Sequence, residues 1–218
     1  MWHPFWGFRV HDSCAVRQKA AVLIALCGCL NTADYILSFL HTGVKNMSGG
    51  SYNILFLCQG NSARSIMAEA IMNGEGSNHF HAYSAGSHPR GALHPYTADL
   101  LSGLGHDLTV FSSKPMEVYS QQDEIKFDFI FTVCDQTAKE SCPVFPGAPM
   151  SAHWGVPDPA AATGTEAEIR LAFAETYRML RNRISIFTSL PFASLDRMSL
   201  QRRLDQIGET TMPVSDPA

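Results

Sequence analysis

"NILFLCQGNSARSIMAEA", Asn53 to Ala70, changes texture twice. An apolar run ends on Cys58, a short polar loop follows, and from Arg64 apolar residues recur at helical spacing. Asn53–Cys58 reads as a fully buried strand, and residues 62–74 as a helix with Ile66, Met67, Ala70 and Ile71 on its apolar face and Gly74 at its end. A loop that runs from a strand into a helix N-terminus aims several N–H groups at one point, and the helix dipole adds positive potential there. Gly60 is expected to supply unusual backbone angles, and the Asn61 side chain to hold the loop through local hydrogen bonds. Arg64 offers a planar fork that matches two oxygens of a tetrahedral oxyanion. The loop Cys58, Gln59, Gly60, Asn61, Ser62, Ala63, Arg64, Ser65 therefore reads as oxyanion-binding. A thiol of ordinary acidity would be only ~3% thiolate at pH 7. A fall of about two in its pKa, worth ~2.7 kcal/mol, would make it mostly thiolate, and this ring of donors is expected to produce one. Ser65 is placed to stabilise the sulfur when it acts as a leaving group.

Outward from this stretch, strand and helix patterns alternate. "HFHAYSAGS" (residues 79–87), "FDFIFTVCD" (127–135) and "PMSAHWGVPDP" (149–159) read as three further strands, the last stopped by prolines. "HPYTADLLSGLG" (94–105) reads as a helix closing on glycines. Thr165 and Glu168 have the spacing of a capping box before a helix whose apolar face is Ile169, Ala172, Phe173, Thr176, Tyr177 and Leu180. A last helix in "SLDRMSLQRRLDQIG" carries Leu200, Leu204 and Ile207 on one side, with Gly208 as its stop. The fold class expected is α/β, a four-stranded parallel sheet covered by helices on both faces. Ligands bind such sheets at the carboxyl ends of the strands, where Cys58, Cys134 and Asp158 all fall.

The 218 residues are 45% hydrophobic with a net charge of -4. That allows an ordinary core and gives no electrostatic footprint for nucleic acid. Six cysteines (Cys14, Cys27, Cys29, Cys58, Cys134, Cys142) are too few for a disulfide scaffold, and none has zinc-site spacing. Residues 1–50 differ in character from the rest. Their apolar run Ala20–Leu30 is too short for a membrane span, which needs about 20 residues. It can be read as a signal-peptide core without a clean cleavage site, as a poor lipoprotein site, or as part of an upstream extension with Met47 as the functional start. The last reading is preferred, because the ordered pattern begins abruptly at Asn53. The organisation expected is an extension over 1–50, a domain over 51–190, a C-terminal helix over 191–208 and a disordered tail over 209–218. The protein is expected to be a cytoplasmic monomer with no tightly bound cofactor and no membrane contact.

The loop "CQGNSARS" resembles the phosphate loop of the low-molecular-weight protein tyrosine phosphatase superfamily, and more closely that of its arsenate reductase branch. The resemblance runs from about Asn53 to Phe187 through "AYSAGSHP", "FTVCD", "CPVFPG" and "HWGVPDPA", and the C-terminal helix is similar to an extension in some bacterial members. It implies a thiolate relay. Cys58 is the nucleophile held by Arg64, Asp158 the general acid, Cys134 the first resolving cysteine and Cys142 the second. It also implies arsenate or phosphate as the bound oxyanion, and thioredoxin as the external reductant. Other branches use glutathione or mycothiol with glutaredoxin, and here the Cys134–Cys142 separation is one residue longer than in the best-known thioredoxin-linked members. Ala63 stands where some members carry a second loop cysteine, so a disulfide within the loop is excluded. A potassium site is implied near Asn61, Glu69 and Ser84. Lys114 stands there in place of an acidic ligand, and two readings are open: its ammonium takes the cation's place, or it is a solvated surface charge. The rival activity is phosphate-ester hydrolysis through a phosphocysteine. "DPAAATG" disfavours it, since it offers only small residues where an aromatic ring would be gripped.

Overall fold

Alternation along the first strand decides how the sheet is filled. β1 (Tyr52–Cys58) sends Ile54, Phe56 and Cys58 into one apolar cluster and Leu55 and Leu57 into another, as a strand buried on both faces must. The computed structural model describes residues 51–76, 79–121, 124–135, 137, 145 and 147–210. The 1–50 extension with Cys14, Cys27, Cys29 and Met47 lies outside the described residues, as do Cys142 and residues 211–218 of the expected tail. After β1 come α1 (Arg64–Glu75), β2 (Phe80–Gly86), α2 (Pro95–Gly103), a one-turn α3 (Glu117–Ser120), β3 (Phe129–Thr132), β4 (Met150–His153), α4 (Glu166–Thr188) and α5 (Arg197–Glu209).

The four strands form one sheet in the order β2-β1-β3-β4, and every pair is parallel. Parallel pairing brings all four carboxyl ends to one edge, so Cys58, Gly86, Thr132 and His153 each feed a loop on the same side. One face packs against α1, α4 and α5 through Met67, Ile71, Phe173, Leu180, Phe187 and Leu204. The other is covered by Met116, Tyr119, Phe127 and Phe145. The expected sheet and its two-sided cover are therefore found. Thr165 caps α4 as its spacing predicts: the Glu168 N–H donates to Thr165 Oγ1, and Thr165 N–H donates back to Glu168 Oε2 at 2.7 Å. Among the described residues no helix is long and apolar enough to cross a membrane.

α5 covers the outer edge of β4. Gln201 Nε2 donates to Ser151 O at 2.8 Å, Arg197 Nη2 to Ala148 O at 3.1 Å, and Trp154 Nε1 to Leu204 O at 3.0 Å. Leu200, Leu204 and Ile207 are buried as the pattern predicts, but Gly208 is not the helix stop. It lies inside α5, where a Cβ would run into His153 O. Its role is close approach rather than termination.

The α4 face hides one residue that apolar periodicity does not mark. Arg183 is only 9% exposed, donating from Nη1 to Trp154 O and Gly155 O at 3.2 and 3.0 Å and from Nη2 to Gly208 O at 3.2 Å. Burial pushes its pKa down, yet a guanidinium stays charged inside proteins. Its fork thus ties α4 to the end of α5 and to the segment leading from β4 to Asp158. Arg183→Ala leaves three carbonyls without this donor and is expected to cost about 2–4 kcal/mol. Urea unfolding checks this, and an unchanged midpoint would show that the clasp contributes nothing.

Candidate active site

The loop after β1 is held by one asparagine. Asn61 adopts a left-handed backbone conformation, φ +39°, which its short polar side chain tolerates. The residue with unusual backbone angles is therefore Asn61 and not Gly60, contrary to expectation. The Asn61 amide oxygen accepts the Lys114 backbone N–H at 2.7 Å, so its nitrogen carries both remaining bonds. One goes to Ser65 Oγ at 2.9 Å, the other to Ser84 Oγ at 2.8 Å. Each hydroxyl then has its own proton to give. Ser84 donates to Glu69 Oε2 at 2.5 Å. Ser65 Oγ lies 2.9 Å from Cys58 Sγ, and the Asn61 N–H donates to the same sulfur at 3.2 Å. Asn61 thus orients a hydroxyl proton toward the sulfur, a longer-range function than holding its own loop.

Loop carbonyls are drawn outward by the segment following β2. Ser87, His88, Arg90 and His94 donate their N–H groups to the carbonyls of Cys58, Gln59, Gly60 and Ser62, at 2.9–3.2 Å. With its oxygens held on that side, the loop turns amides toward the cavity. Gly86 makes this docking possible, because a Cβ there would lie 2.6 Å from Gln59 O.

A cavity of about 110 Å³ opens over Cys58, lined also by Gln59, Gly60, Ser62, Ala63, Arg64, Asp158 and Ala160. Arg64 Nη2 pairs with Asp158 Oδ2 at 3.1 Å, and Asp158 Oδ1 accepts the Ala160 N–H at 3.2 Å. Asp158 caps the turn Pro159–Ala161 and reaches the cavity, as the flanking prolines suggest. His88 and Arg90 line the same cavity and escaped the sequence reading. Their signal is faint: a histidine and an arginine in "SHPRG", just past a strand's carboxyl end.

Cys134 sits directly beneath the loop. Its sulfur is fully buried, accepts the Gln59 N–H at 3.3 Å and donates to Thr137 Oγ1 at 3.1 Å. Both Cys58 and Cys134 are free thiols. Burial pushes the Cys58 thiol up, and the nearby Cys134 adds to this, while hydrogen bonds from Ser65 and Asn61 pull it down. The net direction is upward, opposite to the acidification expected from the loop's donors, and Arg64 is paired with Asp158. Asn61, Glu69 and Ser84, expected around a potassium ion, are brought together and bonded to one another. Burial pushes the Glu69 carboxyl up against the pull of Ser84 and the charge of Lys114. The Lys114 ammonium bonds Ser112 Oγ at 3.3 Å, and it is the Lys114 backbone that bonds Asn61.

Residues 53–199 match the family model of the low molecular weight phosphotyrosine protein phosphatases, and the chain belongs to that family. Over 135 residues it is 36% identical to an arsenate reductase of Oceanobacillus iheyensis, covering 62% of this chain and 93% of that one. Over 134 residues it is 33% identical to an arsenate reductase of Bacillus subtilis, again covering 62% and 93%. These relatives lie on the branch that the loop motif implies. Among solved structures, the low molecular weight protein tyrosine phosphatase from T. tengcongensis superposes with a TM-score of 0.50 at 19% identity, covering 62% of this chain and 96% of that one, a likeness of fold.

Proposed function

We propose that this chain reduces arsenate to arsenite through a relay of Cys58, Cys134 and Cys142. The observation that carries the reading is the second buried thiol, Cys134, bonded to the N–H of the residue that follows the nucleophile. A hydrolase needs no such thiol there. In the first step the Cys58 sulfur forms an S–As bond while an As–O bond breaks; the thiol proton passes to the bound arsenate, Asp158 carries it to the leaving oxygen, and that oxygen departs as water. The Cys134 thiolate then attacks the Cys58 sulfur. An S–S bond forms, the S–As bonding pair leaves on arsenic, and arsenic gains two electrons to become arsenite. The Cys142 thiolate attacks Cys134, frees Cys58 as thiolate and leaves a Cys134–Cys142 disulfide. A dithiol of the thioredoxin class returns the two electrons by exchange.

Two features of the site support small inorganic oxyanions over aryl phosphates. The cavity is about 110 Å³, and among the described residues no phenyl, phenol or indole ring lines it. The adjoining groove, lined by Gln59, Arg64, Asp135, Gly155, Val156, Pro157 and Asp158, has none among the described residues either. Hydrolysis through a phosphocysteine uses the same Cys58, Arg64 and Asp158, and weak hydrolysis of phosphate esters is expected alongside. The deciding assay follows NADPH oxidation with thioredoxin, thioredoxin reductase and arsenate. Arsenate-dependent consumption is the expected result. A flat trace here and with glutathione or mycothiol plus glutaredoxin, together with brisk ester hydrolysis, would transfer the reading to the phosphatase.

A further inference from the structure

The charge balance of the cavity points to a residue outside the loop motif. Arg64 and Asp158 lie 3.1 Å apart and largely neutralise one another. Arsenate and phosphate near neutral pH are mixtures of monoanion and dianion, so a site whose internal cation is already paired needs a second one to hold the doubly charged form. Arg90 lines the cavity, and among the described residues no carboxylate pairs with it. Its position is built. The Arg90 N–H donates to Gly60 O at 3.0 Å, which locks its backbone to the loop. The next residue, Gly91 at φ +80°, donates its N–H to Ser113 Oγ at 3.1 Å, and that hydroxyl reaches Gly60 O at 3.4 Å. The Arg90 side chain then lies across Gly60: a Cβ at that position would fall 3.2 Å from Arg90 Nε and 3.4 Å from Arg90 Cγ. Glycine at position 60 leaves room for the Arg90 side chain, which a Cβ would have to push aside by a few tenths of an ångström. The Arg90 charge is felt locally, since with burial it pushes the His94 ring down while Asp158 pulls it up.

We propose that Arg90 is a second oxyanion-binding residue, which supplies the cavity's unpaired positive charge and selects doubly charged tetrahedral oxyanions. The proposal rests on reading Cys58–Ser65 as an oxyanion loop, and it holds for reduction and for hydrolysis alike. A guanidinium is suited to the task because it donates to two oxygens at once and keeps its charge at every working pH.

The test uses the full chain and needs no turnover. Iodoacetamide, which is neutral, alkylates Cys58, and mass spectrometry of the Cys58 peptide gives the rate. Inorganic phosphate protects, and the concentration dependence gives its Kd. Arg90→Ala is expected to weaken phosphate about tenfold to a hundredfold, the range for losing a charge-assisted bond. The unprotected alkylation rate is measured for each protein, and protection is read relative to it. Arg90→Lys should recover part of the loss, since it keeps the charge but not the fork. Wild-type affinity should also rise with pH as phosphate becomes a dianion, and this rise should flatten in Arg90→Ala. If phosphate protects both proteins equally, Arg90 has no part in binding and the loop reading stands without it. If phosphate fails to protect the wild type, the oxyanion loop itself is wrong and the proposal falls with it.

Discussion

Cys58→Ser is expected to abolish arsenate reduction and phosphate-ester hydrolysis together, a loss of about a millionfold in kcat if the nucleophile behaves as in other covalent enzymes. A serine hydroxyl ionises far above the working pH, and among the described residues no base is hydrogen-bonded to the atom at position 58. The groups that meet the sulfur are Ser65 Oγ and the Asn61 N–H, and both are hydrogen-bond donors rather than bases. The substitution replaces sulfur with the smaller oxygen and removes no heavy atom from a residue only 3% exposed, so the fold should persist. Phosphate should still bind, because the loop amides, Arg64 and Arg90 do not depend on the thiol. Circular dichroism and phosphate affinity serve as controls alongside the two activity assays. Residual turnover above about one per cent of wild type would place the nucleophile elsewhere.

Cys134→Ala should split the two activities. Without the resolving thiol the S–As bond on Cys58 has no internal attacker, so steady-state arsenate reduction should fall at least about a hundredfold, to the rate at which external thiols reach a nearly closed sulfur. Ester hydrolysis needs only Cys58, Arg64 and Asp158 and should survive within a few-fold. Some loss there is expected, since alanine leaves the Gln59 N–H without its acceptor beneath the loop. Cys142→Ala should behave differently again: a single burst of arsenite per chain, ending in a Cys58–Cys134 disulfide detectable by mass. If either variant reduced arsenate at the wild-type rate with the thioredoxin system, the relay would be wrong.

Much of this architecture was legible because it rests on short-range pattern. The run Asn53–Cys58 is apolar at every position after the first, which marks a strand buried on two faces, and the Thr165/Glu168 spacing marks where α4 starts. Strand ends alone put Cys58, Cys134 and Asp158 on one edge. What escaped depends on contacts between distant segments. Arg90 lies in an aperiodic loop, and its meaning appears only where its chain meets Gly60 across 30 positions of sequence. Arg183 sits at a helical position that hydropathy assigns to solvent, and three carbonyls from other segments reverse that assignment. The thiol's acidity was misjudged for a related reason. Donors near a sulfur can be counted in a sequence, but the depth of its burial and the partner already taken by Arg64 cannot.

The docking of the β2–α2 segment onto the loop carbonyls has a consequence for reuse of this motif. Four hydrogen bonds from Ser87 to His94 hold the oxygens of Cys58, Gln59, Gly60 and Ser62, so the curvature of the anion cradle is encoded in two places. The signature that identifies the family is half of a mould. Transplanted alone into another strand–helix junction, "CQGNSARS" would bring the thiol, the fork and the left-handed asparagine but not the surface that keeps its amides facing inward. The portable unit is the pair of segments, with Gly86 between them as the seam along which they fit.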